Sequence, residues 1–242
     1  MTRIAIGFDL DHTLALDNRL ERTALIDLAK ELGVTIGAND VARLAQIDTL
    51  LQEMRMDKLT LGQMVARFVH SIRKDHTTRG LTERFKEICY ALVPHHIVAV
   101  AGVGELFQGL DARGVRYAIL TNGWSPLQEK KAAAIRYNGS IFVSDVIGAA
   151  KPSPAAFAQL SDVFPTDARV WYVGDNPATD VRGSIDAGFE GIWYHEHAGV
   201  AYPSYLPPPS AVIDRLLDIL ALLDGSDAAG KPGRVEAMPK TR

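Results

Sequence analysis

The chain holds one cysteine, Cys89, in 242 residues. A single thiol excludes an intrachain disulfide and any cysteine-built zinc cluster. Cys89 falls at helical spacing within Phe85-Lys86-Glu87-Ile88-Cys89-Tyr90-Ala91-Leu92, so it is expected as a buried small hydrophobe rather than a nucleophile. Neither sign of charge dominates, because 26 Lys and Arg stand against 29 Asp and Glu for a formal net charge of −3. That balance gives no reason to expect nucleic acid or an anionic membrane as a partner. No apolar run reaches the roughly 18 residues of a membrane span, and no signal-peptide pattern opens the chain. A cytoplasmic protein is the expectation. No internal repeat is present. What is left, 47% hydrophobic and 23% charged residues, is the composition of an ordinary globular protein.

The informative stretch lies near the N-terminus. Ile4-Ala5-Ile6-Gly7-Phe8 is a short apolar run that stops at Asp9-Leu10-Asp11-His12-Thr13. Such a run reads as a strand buried on both faces of a sheet. In open α/β sheets ligands bind outside the carboxyl ends of the strands, which is where Asp9 and Asp11 fall. Two carboxylates in one small volume repel each other unless a cation joins them. An acidic turn after a strand is the plain alternative.

From there the pattern is helical as far as residue 96. Apolar residues recur at helical spacing over Arg19–Leu32, Ala38–Met56, Leu61–Ile72 and Leu81–Leu92. A βαβ crossover needs only one helix, so residues 17–96 are expected as an inserted helical cap. Residues 1–16 and 97–224 then form the α/β core, and the polar residues 225–242 form a disordered tail. In the core, helices are expected at Val103–Arg113, after Ser125-Pro126 and Ser153-Pro154 with serine as N-cap and proline in the first turn, over Thr179–Ala187, and over Ser210–Leu223. Strands are expected at Val115–Leu120, Ile141–Val143, Arg169–Val173 and Gly191–Tyr194. This alternation predicts a parallel sheet with helices on both faces.

The polar residues fall at strand ends: Asp9 and Asp11, Thr121 and Asn122, and Gly174-Asp175, with Lys151 in the loop before Ser153. Asp9, Asp175 and a backbone carbonyl near Asp11 are the hard oxygen donors that Mg²⁺ prefers. Lys151 would neutralise phosphate charge or hold an attacking carboxylate, and Thr121 offers a hydroxyl beside backbone N–H groups. A carboxylate attacks phosphorus to give an aspartyl-phosphate, and a second acid one residue on can trade a proton with leaving alcohol and water. Taken singly, Lys151 reads as a surface charge, Thr121-Asn122-Gly123 as a turn, and Asp175 with Asp180 as acids at a helix N-terminus. Their joint occurrence in this order, each at a strand end, favours the chemical reading.

Phe8-Asp9-Leu10-Asp11-His12-Thr13-Leu14 resembles the first motif of the haloacid dehalogenase (HAD) superfamily. Leu120-Thr121-Asn122-Gly123 is similar to its second motif, Ala150-Lys151-Pro152 to its third, and Gly174-Asp175-Asn176-Pro177-Ala178-Thr179-Asp180 to its fourth. The resemblance implies a Rossmann-like core carrying a C1-type cap, and a phosphatase that uses Mg²⁺. It implies Asp9 as nucleophile and metal ligand, and Asp11 as general acid/base that also binds the metal through its carbonyl. Thr121, Lys151 and Asn122 would bind the phosphoryl group, Asp175 would be a further metal ligand, and Asp180 would tether Lys151. His12 stands where relatives often carry Gly or Asp. Asp11 favours phosphoryl transfer over 2-haloacid dehalogenation; a phosphomutase and a non-catalytic phosphate-binding protein remain the alternatives. The expected partner is a small phosphorylated substrate, met by a monomer or homodimer. The stretch from Thr121 to Gln128 is similar to phosphatases acting on nucleoside monophosphates or acylated sugar-acid phosphates, with phosphoglycolate an equal candidate. Trp124 would stack on a base or pack under the cap. Arg19, Arg22, Arg43, Arg55 and Lys58 are candidates for a second anionic group, and His195 and His197 for the rim of the site.

Overall fold

The computed structural model describes residues 3–56, 58–74, 77–195 and 201–229. The chain divides into two compact units, Met1–Leu16 with Val98–Arg242, and Asp17–Ile97. In the first unit the apolar run becomes β1 (Ile4–Phe8) and is followed by β2 (Ala15–Leu16).

The second unit is helical: α1 (Leu20–Glu31), α2 (Val41–Arg55), α3 (Leu61–Ile72) and α4 (Leu81–His96). Asp40 caps α2, and Thr60 with Gln63 forms a reciprocal capping box on α3. Leu25, Leu28, Ile47, Met64, Phe68 and Phe85 are buried, and so is Cys89. Three of the arginines considered for anion binding meet acids of the same unit: Arg22 lies 3.4 Å from Asp48, Arg43 3.3 Å from Asp40, and Arg55 3.0 Å from Glu21.

The chain re-enters the first unit through β3 (Val98–Ala99), which pairs antiparallel with β2. It then alternates: α5 (Val103–Ala112), β4 (Arg116–Thr121), α6 (Leu127–Ala134), β5 (Ile141–Val143), α7 (Ser144–Ile147), α8 (Pro154–Ala158), β6 (Arg169–Gly174), α9 (Gly183–Asp186), β7 (Glu190–Tyr194), β8 (Ala211–Ile213) and α10 (Asp218–Ala229). Six strands align in the order β5-β4-β1-β6-β7-β8, with every neighbouring pair parallel. Alternation along β4 turns Ala118 and Leu120 to one face, where they join Phe157 of α8 and Tyr172 of β6 in a buried cluster. Tyr117 points to the other face and stacks on Phe107 of α5, with centroids 5.3 Å apart. Helices therefore cover both faces of a Rossmann-like sheet.

Several local expectations need correction. Ala211-Val212-Ile213 is a strand paired with β7, not the start of a helix. A three-residue apolar run fits either period, and only tertiary pairing decides between them. The last helix accordingly starts later and continues to Ala229, beyond the expected tail boundary; residues 230–242 and His197 lie outside the described residues. Ser125 is not the N-cap of α6. The first turn closes on the Trp124 carbonyl, 3.1 Å from the Leu127 nitrogen, while the Ser125 hydroxyl donates to Glu129 at 2.6 Å. The expected helix over Thr179–Ala187 is instead a π-helical turn, Pro177–Arg182, running into α9. Ile97 groups with the helical unit.

Glycine in mid-strand normally weakens a sheet, yet Gly7 sits in the central β1. A Cβ there would lie 2.7 Å from both Leu160 Cδ1 and Tyr172 Cδ2. The missing side chain is the space that the Tyr172 ring fills. Gly7→Ala is expected to cost about 1–3 kcal/mol through overpacking, read as a lower urea midpoint at unchanged m-value; an unchanged midpoint would contradict this packing.

Candidate active site

Parallel pairing sets the ends of β1, β4 and β6 side by side. Phe8 pairs with Ile119 and with Val173, so the residues that follow on all three strands emerge together. The Asp9 nitrogen donates to the Val173 carbonyl at 2.9 Å, carrying the β1–β6 ladder one step into the loop. Thr13, fully buried, accepts from the Asp175 nitrogen at 3.1 Å and makes a long 3.4 Å contact to Asp9 Oδ2.

Lys151 is the centre of the site. It is buried, and its Nζ donates to Asp9 Oδ1 at 2.6 Å, Asp180 Oδ1 at 2.7 Å and the Tyr172 hydroxyl at 2.9 Å. An ammonium has three protons, and these three acceptors match them. Burial opposes the charge on Lys151, but Asp180 and Asp9 hold the ammonium well above the ordinary lysine range. Its backbone is fixed as well. The Asn122 carboxamide donates to the Lys151 carbonyl at 2.9 Å and accepts from the Lys151 nitrogen at 2.8 Å. The Asn122 side chain is thus engaged with the Lys151 backbone. Thr121 is buried at the end of β4.

The carboxylates of Asp9, Asp175 and Asp180 offer oxygens that all lie within 4.8 Å of one another. Gly174 permits this closeness, since a Cβ there would come within 2.4 Å of Asp180. Asp180 Oδ2 also accepts from the Asn176 nitrogen at 3.0 Å, and Asn176 Oδ1 caps the next turn through the Ala178 and Thr179 nitrogens. Burial, opposed by Lys151 and reinforced by Asp180, pushes the Asp9 carboxyl up to about 7. Burial with the charges of Asp9 and Asp180 pushes Asp175 up to about 8. Asp9 and Asp175 thus resist ionisation beside each other, and with Asp180 they make three hard oxygen donors, a set suited to a divalent cation.

Asp11 lies outside that group. Its Oδ1 accepts from Lys131 Nζ at 2.9 Å and its Oδ2 from Gln128 Nε2 at 2.9 Å. Burial opposes ionisation, but Lys131 and Gln128 hold its carboxyl below the usual range. His12, directly after Asp11, has φ 64°, a left-handed conformation that glycine adopts without strain.

Four side chains escaped the sequence reading: Thr13, Gln128, Lys131 and Tyr172. Gln128 and Lys131, three apart on a short helix, carried the only available signal, polar residues sharing one helical face. Tyr172 looked like any aromatic of a buried strand. His195 Nδ1 lies 3.6 Å from Asp214, its ring 4.4 Å from that of Trp193, whose indole donates to the Asp175 carbonyl at 2.9 Å.

The chain is similar to several known proteins. The chain is 24% identical over 200 residues to pyrimidine 5′-nucleotidase PynA of Streptococcus pneumoniae, covering 78% of this chain and 83% of that protein. It is 26% identical over 239 residues to N-acylneuraminate-9-phosphatase of Rattus norvegicus, covering 92% and 94%. The solved structure of the HAD hydrolase YfnB from Bacillus subtilis, bound to magnesium, superposes with a TM-score of 0.71 at 18% identity over 93% of this chain and 100% of that one. Among the described residues no helix is long and apolar enough to cross a membrane. Residues 5–188, the span that carries all four strand-end motifs, match the haloacid dehalogenase-like hydrolases, and the chain belongs to that family.

Proposed function

We propose that this protein is a Mg²⁺-dependent phosphomonoesterase that hydrolyses a small phosphorylated metabolite through an aspartyl-phosphate on Asp9. The observation that carries the reading is the 2.6 Å contact between Lys151 Nζ and Asp9 Oδ1 inside a cluster of three carboxylates. A salt bridge built for stability would not leave Asp175 crowded against Asp9 at the mouth of a strand.

With Oδ1 held by Lys151, Asp9 has Oδ2 for attack on phosphorus. The ester P–O bond breaks as the acyl-phosphate bond forms, and the leaving oxygen takes a proton from Asp11. Water then attacks the same phosphorus and gives a proton to Asp11, inorganic phosphate departs, and the Asp9 carboxylate is restored. The three protons of Lys151 are engaged with Asp9, Asp180 and Tyr172, so its service to the phosphoryl group is its charge and its hold on the nucleophile. Thr121 binds the transferring oxygens. Asp9 and Asp175, with the Asp11 carbonyl, would hold the Mg²⁺, which when bound supplies charge neutralisation to a dianionic substrate. Residues 17–97 act as the cap that selects substrate. Pyrimidine nucleotides and acylated sugar-acid phosphates, the substrates in the relatives' names, head the candidates.

Phosphate release should be measured from p-nitrophenyl phosphate, nucleoside monophosphates, N-acylneuraminate 9-phosphate, phosphoglycolate and sugar phosphates, with Mg²⁺ and with EDTA. Release only with Mg²⁺ is expected, and silence across the panel would remove the assignment; an isomerised product without phosphate would mark a mutase. Asp9→Asn is expected to abolish release while folding normally, since it removes the nucleophile and one repelling charge together. Lys151→Ala should lower the rate by about 10²–10³-fold through the loss of charge beside a dianion; a near wild-type rate would displace Lys151 from its role.

A stability measurement tests the cation independently of turnover. Asp9 and Asp175 have folded-state values near 7 and 8 against an ordinary 3.8. Between the ordinary and raised values the folded protein binds more protons than the unfolded chain, so its stability falls as pH rises across that window. In EDTA the melting temperature should drop between about pH 5.5 and about pH 8, and Mg²⁺ should restore more of it at the higher pH. Equal melting with and without Mg²⁺ at the higher pH would contradict a cation at this cluster.

A further inference from the structure

We propose that Gln128 and Lys131 are positioning residues for the second half of the reaction: they hold the Asp11 carboxylate by both oxygens, aligned to take the proton of the attacking water. The inference rests on reading Asp9 as nucleophile and Asp11 as acid/base.

Gln128 and Lys131 are 3% and 2% exposed. A buried ammonium and a buried carboxamide are expensive to desolvate, and a surface helix could bury apolar residues at those two positions instead. Their spacing puts both on one face of α6, and each meets a different oxygen of Asp11 at 2.9 Å. Gln128 Nε2 also donates to the Asn122 carbonyl at 2.8 Å, so the Asp11 carboxylate is tied to the loop that follows Thr121. Gly123 makes room for this contact, because a Cβ there would fall within 2.4 Å of Gln128 Nε2. Four elements of the arrangement, Gly123, Gln128, Lys131 and Asp11, therefore lock one carboxylate in one orientation.

That orientation suits one half-reaction more than the other. Departure of the leaving group needs a proton on Asp11. Attack by water needs an accepting oxygen there, and both Asp11 oxygens accept in this structure. In that step the water oxygen bonds to phosphorus, its proton passes to Asp11, and the bond from phosphorus to Asp9 breaks. The Asp11 side chain keeps 26% exposure, which leaves it open to proton exchange with solvent between turnovers.

The test is kinetic, on the full chain with Mg²⁺ and p-nitrophenyl phosphate, whose leaving group departs without a proton. For this substrate kcat/KM reports formation of the phosphoenzyme, and kcat falls when its hydrolysis becomes limiting. Lys131→Met is expected to lower kcat and KM together by at least about tenfold. kcat/KM should stay within about threefold, and a burst of p-nitrophenolate should approach one equivalent of enzyme. Gln128→Leu should show the same signature at smaller size, and it carries the test if Lys131→Met does not fold. Combining Lys131→Met with Asp11→Asn should add nothing to Asp11→Asn alone. A fall in kcat/KM without a burst, or additive losses, would mean a merely structural role and overturn the proposal. If Asp11→Asn itself leaves kcat for p-nitrophenyl phosphate intact, the assignment of Asp11 fails instead, and the two failures are distinct.

Discussion

Everything at the strand ends depends on one buried ammonium. Taking a lysine charge out of water costs several kcal/mol or more, and here Asp9, Asp180 and the Tyr172 hydroxyl offset that cost by accepting all three protons. Around this contact the neighbours are fitted. Tyr172 in turn donates to the Leu120 carbonyl at 2.7 Å, one residue before Thr121. Gly7 leaves space for the tyrosine ring, Gly174 for the Asp180 carboxylate, and Asn122 fixes the Lys151 backbone. Remove the ammonium and two buried carboxylates face each other with no counter-charge.

The topology makes such a meeting possible. β1 lies inside the sheet with β4 on one side and β6 on the other, so the chain must reverse its direction of strand addition across β1. In doubly wound sheets a crevice opens at that switch point, beyond the strand carboxyl ends. Three strands remote in sequence deliver residues at or just past their ends there: Asp9, Thr121 and Asp175. The helical unit follows β2, and the chain returns from it through β3, which pairs with β2. An insertion at that point lengthens the chain without breaking any ladder hydrogen bond of the parallel sheet.

This much was legible in the sequence because it depended on local rules. Buried parallel strands read as apolar runs, and acids that end such runs have few structural reasons to be there. The shortfalls share a cause, which is that tertiary partners decided them. Val212 and Ile213 fit a helix as well as a strand until β7 pairs with them. Ser125 has the composition of an N-cap, but Glu129 and Asp145 claim its hydroxyl and nitrogen. Lys131 escaped notice because nothing nearby in sequence announces Asp11, 120 positions away. Nothing local to Asn122 announces that its carboxamide pairs with the peptide group of Lys151, 29 positions away.

Two acids separated by a single residue end in opposite electrostatic situations. Asp9 is pushed up to about 7 by burial, with Asp180 adding to the push, and Asp11 is held down by Lys131 and Gln128 against its own burial. Pairs of titratable groups driven apart by their surroundings are the mark of divided labour in catalysis. The cluster of Asp9, Asp175 and Asp180 carries three negative charges against the single positive charge of Lys151, a net of −2 when all are ionised. In the proposed reaction a phosphate dianion would be repelled by that surplus, and protons would be the wrong remedy, since a protonated Asp9 would be no nucleophile. A doubly charged cation removes the surplus and leaves Asp9 ionised. On the proposed function, the same repulsion that destabilises the cluster on its own would therefore give it affinity for a divalent cation, and would make that affinity a condition for holding a phosphorylated substrate.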